Sequence, residues 1–300
     1  MRIGVFRGDA AGGPIEKLVG AARDASASGF ASLWLPQTMG MDAMTVLAVI
    51  GREVPDLELG TAVVPTFPRH PVVMAQQALT TQAITGGRFT LGIGLSHRPI
   101  VVGSFGCSFE QPIRHMREYL SALLPLIREG KVDYAGETVT ARVGLDVRGS
   151  SPVRVVLAAL GPRMLELAGR LADGTVTWMT GPRTLAEHVV VRIRAAAQDA
   201  ARPTPMIGAG FPICVTDDVV AARNLAARTF AVYGTLPSYR AMLDREHVEG
   251  PADIAIIGDE AAVGEHLEHL AGIGVTDFIA SVFGSPDDRA RTYAFLSTLT

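Results

Sequence analysis

The sequence predicts an α/β protein of the (β/α)8 TIM-barrel class, with insertions at the carboxyl-terminal rim of the barrel. Apolar, strand-like runs alternate with helix-like segments along the 300 residues. The runs are apolar throughout rather than at every second residue, which is typical of parallel strands covered on both faces. The first run is followed by Arg7-Gly8-Asp9 and not by a GxGxxG turn, which disfavours the alternative of a doubly wound open sheet.

Residues 57–97 show the repeating unit most clearly. An apolar run at 57–64 is followed by a turn and by a helix-like segment at 71–85. Gly86-Gly87 ends that helix, because glycine adopts the left-handed conformation at a helix end without steric cost, and 89–95 is the next strand. Since the strands of a parallel barrel point the same way, the residues that follow both strands are predicted at one rim, where such barrels carry their chemistry.

The other units follow in chain order. A loop at residues 8–13 separates the first strand from a helix that opens with Pro14, and Asp42 is predicted to cap the second helix. Pro237 predicts a bend in the long helical region after the seventh strand, and residues 254–257 fit either a short strand or a buried loop. The predicted strands are residues 1–7, 30–35, 57–64, 89–95, 153–157, 174–178, 205–215 and 276–283, and the predicted helices are residues 14–28, 43–52, 71–85, 112–129, 162–171, 184–197, 217–248, 261–272 and 287–299.

The chain is predicted to form one domain, residues 1–300, with one interruption. Regular alternation stops at about residues 98–151, between strands four and five, and residues 131–151 are polar and contain glycine. We interpret this segment as an insertion. It either covers the site as a lid, with Phe105 and Phe109 lining it, or forms a dimer contact.

Composition and charge restrict the class of protein and its partners. A hydrophobic fraction of 48% supplies a large core, and 27 basic against 30 acidic residues, without a basic tract, disfavour nucleic acid as a partner. No apolar run reaches the roughly 18–20 residues that span a bilayer. Cys107 and Cys214 form neither a metal spacing nor a disulfide framework. We therefore expect a cytoplasmic protein that binds a small molecule, not a membrane.

His97 is the strongest single candidate for chemistry. It follows the predicted fourth strand and the small residues of GIGLS, which leave space for a flat ligand near the backbone. An imidazole at this point can donate or accept a proton near neutral pH. The alternative is a rim histidine that is hydrogen-bonded to a loop. Histidines 266 and 269 are three residues apart, but no third ligand is visible, so no metal site is predicted.

Two strand-to-helix turns are candidates for binding an anion. Gly161-Pro162 and Thr180-Gly181 each follow an apolar strand and open a helix. Free backbone N–H groups at such helix ends accept phosphate, helped by the helix dipole. Ordinary turns use the same residues, so this alternative stays open. Trp34 and Trp178 lie on strands, where a place in the core is favoured over contact with a ligand.

Four sequence blocks give the chain a resemblance to a known family. They are GFASLWLPQ (29–37), LGTAVVPTFPRHPVVMAQQALTTQAITGGRFTLGIGLSH (59–97), HMREYLSALLPLIREG (115–130) and LGPRMLELAGRLADGTVTWMTGP (160–182). With these blocks the chain resembles the luciferase-like monooxygenase superfamily, and within it the F420-dependent oxidoreductases of actinobacteria. The resemblance covers nearly the whole chain.

The resemblance implies a TIM barrel that holds a deazaflavin (coenzyme F420) or a flavin (FMN) at its carboxyl-terminal rim, often as a homodimer. It also implies a non-proline cis peptide at Ala62-Val63 behind the cofactor ring, Pro65 close to the ring, and a phosphate cradle at Gly161, Thr180 and Gly181. The cofactor-binding residues expected on this basis are Ala62, Val63, Pro65, His97, Ala158, Leu160, Gly161, Met179, Thr180 and Gly181.

The sequence departs from the sugar-phosphate dehydrogenases of that family. Those enzymes carry an aspartate-histidine pair after strand two and a glutamate after strand four, where this chain has Pro36-Gln37 and His97. The resemblance thus favours hydride transfer between C5 of a deazaflavin and a small apolar or conjugated substrate, with His97 and Gln37 as the catalytic residues. The alternatives are an FMN-dependent monooxygenase of the same superfamily and a non-catalytic flavin-binding relative.

Overall fold

Eight parallel strands form a closed barrel, as the sequence predicts. A computed structural model describes residues 1–8 and 13–300, and most of the predicted loop at residues 8–13 lies outside these ranges. The barrel strands are β1 (Arg2–Phe6), β2 (Ser32–Leu35), β3 (Glu58–Thr61), β5 (Phe89–Gly94), β8 (Arg154–Leu157), β9 (Gly174–Trp178), β10 (Met206–Val215) and β12 (Asp277–Val282). Pairing of β1 with β12 and of β9 with β10 closes the ring.

Additional strands extend the barrel or lie outside it. They are β4 (Val64–Pro65), β6 (Lys131–Ala135), β7 (Thr140–Gly144) and β11 (Ile256–Gly258). The long strand β10 pairs with β9 along its first part, with β12 over most of its length and with β11 at its end. The segment with two interpretations, residues 254–257, is therefore the end of a 3-10 turn that leads into a strand.

A ring of helices covers the barrel. The helices are α1 (Ile15–Ala27), α2 (Ala43–Glu53), α3 (Pro71–Ile84), α4 (Arg98–Gly103), α5 (Pro112–Glu129), α6 (Pro162–Leu171), α7 (Pro182–Thr184), α8 (Val191–Asp199), α9 (Val219–Thr229), α10 (Ala231–Thr235), α11 (Pro237–Glu246), α12 (Glu260–Gly272) and α13 (Pro286–Ser297). The predicted cap is confirmed, since the Asp42 side chain accepts a hydrogen bond from the Thr45 N–H. The predicted bend is also confirmed, since α10 ends before Pro237.

The third strand is interrupted where the sequence predicts a continuous run. β3 ends at Thr61, the peptide bond between Ala62 and Val63 is cis, and β4 resumes at Val64. The Thr61 hydroxyl donates to the Gly92 carbonyl at 2.8 Å and accepts from the Gly92 N–H at 2.9 Å, so a side chain provides the pairing at this point. Gly92 is needed there, because a Cβ would overlap the Thr61 carbonyl oxygen.

Residues 98–151 contain a barrel helix as well as inserted structure. Helix α5 packs against α3 and α6 in the ring, while α4 and the β6–β7 hairpin are additional. The hairpin is tied to α5 by the buried Glu118 carboxylate, which accepts hydrogen bonds from the Thr138 hydroxyl and from the Thr138 and Val139 N–H groups. Burial alone would raise the pKa of Glu118, but these bonds hold it below its ordinary value.

Two absences bear on the expectations. Within residues 1–8 and 13–300, no helix is both long and apolar enough to cross a membrane. The same residues bring together no group of three histidine, cysteine or acidic side chains that could hold a metal ion.

The core lies between the barrel and the helices, and a second cluster, which includes Trp34, fills the barrel interior.

Candidate active site

A cavity of about 950 Å³ opens at the carboxyl-terminal end of the barrel strands. This is the rim at which the sequence places the chemistry, and a cavity of this size accommodates a cofactor together with a small substrate. The sequence-predicted site residues on its surface are Gln37, Ala62, Val63, Pro65, His97, Ala158, Leu160 and Gly161. The strand ends therefore bring together residues that are more than one hundred positions apart in the chain.

One side of the cavity is smooth and lacks polar side chains. Ala62 and Val63 follow β3, and Ala158 follows β8; we call these three residues the flat wall. Gly94 of β5 lies behind it, where a Cβ would be 2.8 Å from Val63 Cγ2 and 3.1 Å from the Ala158 Cβ. Because no larger residue fits between these side chains, the flat wall stays close to the strands. Its shape suits a planar ring.

His97 lies at the edge of the cavity, between β5 and α4. The preceding residue, Ser96, has a left-handed backbone with φ of 62°, which turns the chain at the strand end. The His97 imidazole makes no hydrogen bond with the described residues, and its ring centroid lies 5.9 Å from that of Tyr239. Burial lowers the pKa of His97, so the imidazole is neutral at neutral pH.

Gln37 lines the cavity, but its carboxamide is engaged by the loop between β2 and α2. Its Oε1 accepts from the Ala43 N–H at 2.9 Å, and its Nε2 donates to the Thr38 carbonyl at 3.1 Å. The side chain thus orders the loop at the start of α2. A catalytic role of Gln37 would require these two bonds to break.

The two predicted anion-binding turns differ in the structure. Gly161 is exposed at the start of α6, and a Cβ built there meets no atom within 4 Å. The adjacent Leu160 carbonyl is held by His188 Nε2 at 2.8 Å. The α6 turn is therefore open toward the cavity and has a fixed backbone.

The second turn does not reach the cavity. Met179, Thr180 and Gly181 do not line it, and Met179 and Thr180 are buried. The Glu246 carboxylate fills the helix start, where it accepts from the Arg183 N–H at 3.1 Å and from the Thr184 N–H at 2.7 Å. The phosphate cradle expected at Thr180 and Gly181 is thus occupied by an acidic side chain of the protein itself.

Sequence reasoning missed an aromatic side of the cavity. We call Phe6, Trp178, Tyr233 and Tyr239 the aromatic wall, because all four line the cavity and form a chain of ring contacts. Phe6 and Trp178 have ring centroids 5.5 Å apart, Trp178 and Tyr233 5.9 Å, and Tyr233 and Tyr239 5.1 Å. Trp178, predicted in the core, faces the cavity instead. The bend at Pro237 was the available signal, since it turns the two tyrosines inward.

Charge is scarce in the cavity. Among the described lining residues, Arg69 carries the single permanent charge, and it pairs with the Asp42 carboxylate. Asp42 also accepts from Gln77 Nε2 at 2.9 Å. The lining is therefore largely apolar, with hydrogen-bonding groups at a few points.

His115 packs behind the cavity and provides a pH-dependent contribution to stability. Its Nε2 lies 3.0 Å from the Thr66 hydroxyl, and its ring stacks on that of Phe67, with the two ring centroids 4.0 Å apart. Burial lowers its pKa to about 4. Since the unfolded imidazole takes up a proton below about pH 6.5, the stabilisation is complete above that pH and is lost as the pH falls toward 4.

A His115→Gln variant isolates this contribution. We expect the difference in free energy of unfolding between wild type and His115→Gln to shrink by about 2 kcal/mol as the pH drops from about 7 to about 4, a figure already reduced for partial solvent screening. Urea denaturation at a series of pH values measures it. A difference that is constant with pH would show that His115 titrates normally in the folded protein.

The fold and the cavity define a (β/α)8-barrel enzyme whose site lies at the carboxyl-terminal rim. A family model described as luciferase-like monooxygenase matches residues 1–288. The chain is 28% identical over 283 residues to the 5,10-methylenetetrahydromethanopterin reductase of Methanolobus tindarius, covering 93% of this chain and 86% of the relative. It is 30% identical over 254 residues to a Mycobacterium tuberculosis protein assigned as a coenzyme F420-dependent oxidoreductase, covering 79% of this chain and 71% of the relative.

Solved structures agree with the fold. The coenzyme F420-dependent tetrahydromethanopterin reductase of Methanopyrus kandleri superimposes with a TM-score of 0.81 at 20% identity, covering 99% of this chain and 97% of that chain. The oxygenating constituent of a Pseudomonas putida diketocamphane monooxygenase, in complex with FMN, gives a TM-score of 0.78 at 15% identity, covering 100% and 96%. The chain belongs to the luciferase-like monooxygenase family, and it is an oxidoreductase of that family.

Proposed function

We propose that the protein is an F420-dependent oxidoreductase, which transfers a hydride between C5 of the deazaflavin and a small apolar or conjugated substrate. The observation that carries the proposal is the flat wall at the barrel rim, formed where the third strand is interrupted. The relatives named for coenzyme F420 or for methylenetetrahydromethanopterin reduction support the choice of cofactor. When bound, a deazaflavin supplies the hydride chemistry, and the protein supplies orientation and a dry site.

The described residues fit such a cofactor. Ala62, Val63 and Ala158 offer an apolar surface for the planar ring, and Pro65 lies beside them. Gly161 leaves space for an anionic tail at the start of α6, where backbone N–H groups and the helix dipole favour negative charge. We assign the anion contact to Gly161 and not to Thr180 or Gly181, since Glu246 fills that second turn.

An FMN-dependent monooxygenase is the second candidate, and the FMN complex among the solved structures favours it. The two functions differ in their need for oxygen. We expect the protein to bind oxidised F420 and to oxidise reduced F420 anaerobically when an enone or ketone is added, which absorbance and fluorescence of the deazaflavin follow. Activity that requires reduced FMN and oxygen would replace this proposal with the monooxygenase. Tight binding without hydride exchange would indicate a non-catalytic relative.

Replacing Gly161 with leucine is expected to weaken F420 binding about tenfold or more and to leave the fold intact. The new side chain has open space and an ordinary backbone φ of −73°, so it projects into the volume assigned to the anionic tail. A tenfold loss corresponds to about 1.4 kcal/mol, the cost of a displaced charged contact. Fluorescence titration with F420 measures the affinity, and thermal melting checks the fold.

Gly20→Leu is the matched control for Gly161→Leu. Gly20 lies within α1, away from the cavity, and a Cβ there also meets no atom within 4 Å. We expect this variant to bind F420 as the wild type does. Equal F420 affinities of Gly161→Leu and Gly20→Leu would show that the anionic tail does not bind at the start of α6.

We also propose that the protein works as a homodimer in the cytoplasm. The family resemblance supports the dimer, and the free thiols of Cys107 and Cys214 fit a reducing compartment. Light scattering after size-exclusion chromatography tests the oligomeric state, and a monomer at micromolar concentration would contradict it.

A further inference from the structure

We propose that the aromatic wall forms a substrate compartment for neutral, planar carbonyl compounds, in which the Tyr239 hydroxyl donates a hydrogen bond to the carbonyl oxygen. The inference rests on the proposed function for its chemistry, but its binding step needs no cofactor.

The strand order separates the two sides of the cavity. The flat wall belongs to β3 and β8, which lie on either side of β5 in the ring. Phe6 ends β1 and Trp178 ends β9, and these two strands are linked through β10 and β12 on the other side of the barrel. A ring on the flat wall would therefore leave the space beside the aromatic wall for a second flat molecule. Stacked or edge-on aromatic contacts favour a planar one.

The charges of the cavity favour a neutral occupant. The described lining residues include no aspartate, glutamate or lysine, and the Arg69 guanidinium is already paired with Asp42. A charged substrate would lose its hydration without gaining a partner, and burying an unpaired charge costs several kcal/mol. A carbonyl oxygen needs only a hydrogen-bond donor, which this cavity can provide.

We assign the donor for that oxygen to Tyr239, whose ring belongs to the aromatic wall. Its hydroxyl makes no hydrogen bond with the described residues, whereas Gln37 is engaged by its loop and Thr177 by the Gly208 carbonyl at 3.3 Å. The buried Trp178 Nε1–H also has no hydrogen-bond partner among the described residues, but an indole N–H donates a hydrogen bond without giving up its proton. The Tyr239 ring is held between His97, at 5.9 Å, and Tyr233, at 5.1 Å. Burial raises the pKa of Tyr239, so the phenol remains a donor throughout the neutral range.

Helix α11 holds Tyr239 in this place. Its last residue, Glu246, is bonded to the Thr184 N–H and hydroxyl at 2.7 and 2.6 Å. Arg240, next to Tyr239, donates to the Val248 and Glu249 carbonyls at 2.9 and 2.7 Å. The hydrogen bonds of Glu246 and Arg240 therefore fix the position of α11 from outside the cavity. They also fix Tyr239, which lies on the same helix.

The reaction balances with a reduced deazaflavin as the reductant. Hydride adds to the carbonyl carbon, or to the β-carbon of a conjugated carbonyl, and the π electron pair moves to the oxygen. The Tyr239 hydroxyl transfers its proton to that oxygen, giving the alcohol or the enol. The phenolate then regains a proton from solvent, through the neutral His97 imidazole beside it. The deazaflavin is oxidised by two electrons, and the substrate is reduced by two.

The binding test uses acetophenone, its isostere α-methylstyrene, which has a methylene group in place of the oxygen, and the anion benzoate. The protein has two tryptophans, and Trp178 lines the cavity while Trp34 does not, so tryptophan fluorescence reports occupancy. We expect cofactor-free protein to bind acetophenone about fivefold more tightly than α-methylstyrene, the ratio that one hydrogen bond of about 1 kcal/mol gives. Benzoate should bind most weakly.

Tyr239→Phe is the decisive variant, because it keeps the ring and removes the hydroxyl. It should abolish the preference for acetophenone over α-methylstyrene and leave α-methylstyrene binding unchanged. Tyr134→Phe, on the β6–β7 hairpin outside the cavity, should keep the preference. A preference that persists in Tyr239→Phe, or benzoate binding more tightly than acetophenone, would overturn the inference.

A turnover arm distinguishes this inference from the proposed function. With reduced F420 and acetophenone, Tyr239→Phe should lower kcat about a hundredfold, the usual worth of a positioned proton donor, and leave F420 affinity unchanged. If F420 fails to bind the wild type, the proposed function falls while the cofactor-free binding arm still decides the role of Tyr239. If F420 binds and kcat is equal in the variant, Tyr239 is not the donor.

Discussion

Gly92→Ala is expected to lower the free energy of unfolding by about 3 kcal/mol or more, because an added Cβ would overlap backbone. The added Cβ would overlap the carbonyl oxygen of Thr61, and it would lie 3.1 Å from the Thr61 carbonyl carbon. Backbone atoms in a paired strand cannot rotate away as a flexible side chain can, so β3 and β5 must separate. Any cofactor contact with the flat wall should weaken as well.

Urea denaturation of Gly92→Ala measures the stability loss, with Gly208→Ala as the matched control. Gly208 is also a buried glycine on a barrel strand, but its Cβ would be 3.4 Å from the nearest atoms, an ordinary contact. We expect Gly208→Ala to unfold close to the wild-type midpoint. If Gly92→Ala also unfolds close to the wild-type midpoint, the fold does not require the close approach of β3 and β5.

Thr61→Val is expected to lower the free energy of unfolding by about 2–3 kcal/mol, although the two side chains have nearly the same shape. The valine cannot bond to Gly92, whose N–H and carbonyl both use the Thr61 hydroxyl, at 2.9 and 2.8 Å. Thr61 is fully buried, so no water replaces the lost partner and the Gly92 backbone is left unsatisfied. The loss should extend to F420 affinity, since Ala62 and Val63 follow directly.

Thr61→Ser provides the control, because it keeps the hydroxyl and removes only a methyl group. We expect it to retain most of the stability that valine loses, and Thr80→Val, at an exposed position of α3, to change stability by less than about 0.5 kcal/mol. Equal stability of Thr61→Val and wild type would show that the strand interruption does not depend on the hydroxyl.

The barrel could be predicted from sequence because its signals are local. Apolar runs such as 89–95 recur along the chain, and the helix end at Gly86-Gly87, where both glycines have a left-handed φ of 63° and 88°, marks where one unit passes from helix to strand. Helix α5 is found at residues 112–129, as predicted. The location of the cavity follows from the same regularity, since parallel strands deliver their carboxyl ends to one rim.

The parts that could not be predicted depend on long-range packing. Glu246 reaches the start of α7 from 62 positions away, and nothing near Thr184 in the sequence indicates that its backbone is already bonded. Tyr239 is likewise distant from His97 in the chain. Within residues 98–151 only the helix at 112–129 was predicted. In the structure, Ile100, Phe105 and Ile113 of this segment line the cavity. The hairpin packs on the outer helices, and Phe109 contacts Phe67 instead.

A structure of the protein with oxidised F420 bound would show where the cofactor ring and its anionic tail lie in the cavity. The proposed function predicts the planar ring against Ala62, Val63 and Ala158, the anionic tail at Gly161, and open space left beside Tyr239. A ring that binds elsewhere while the flat wall stays uncovered, or crystals that take up FMN but not F420, would contradict it.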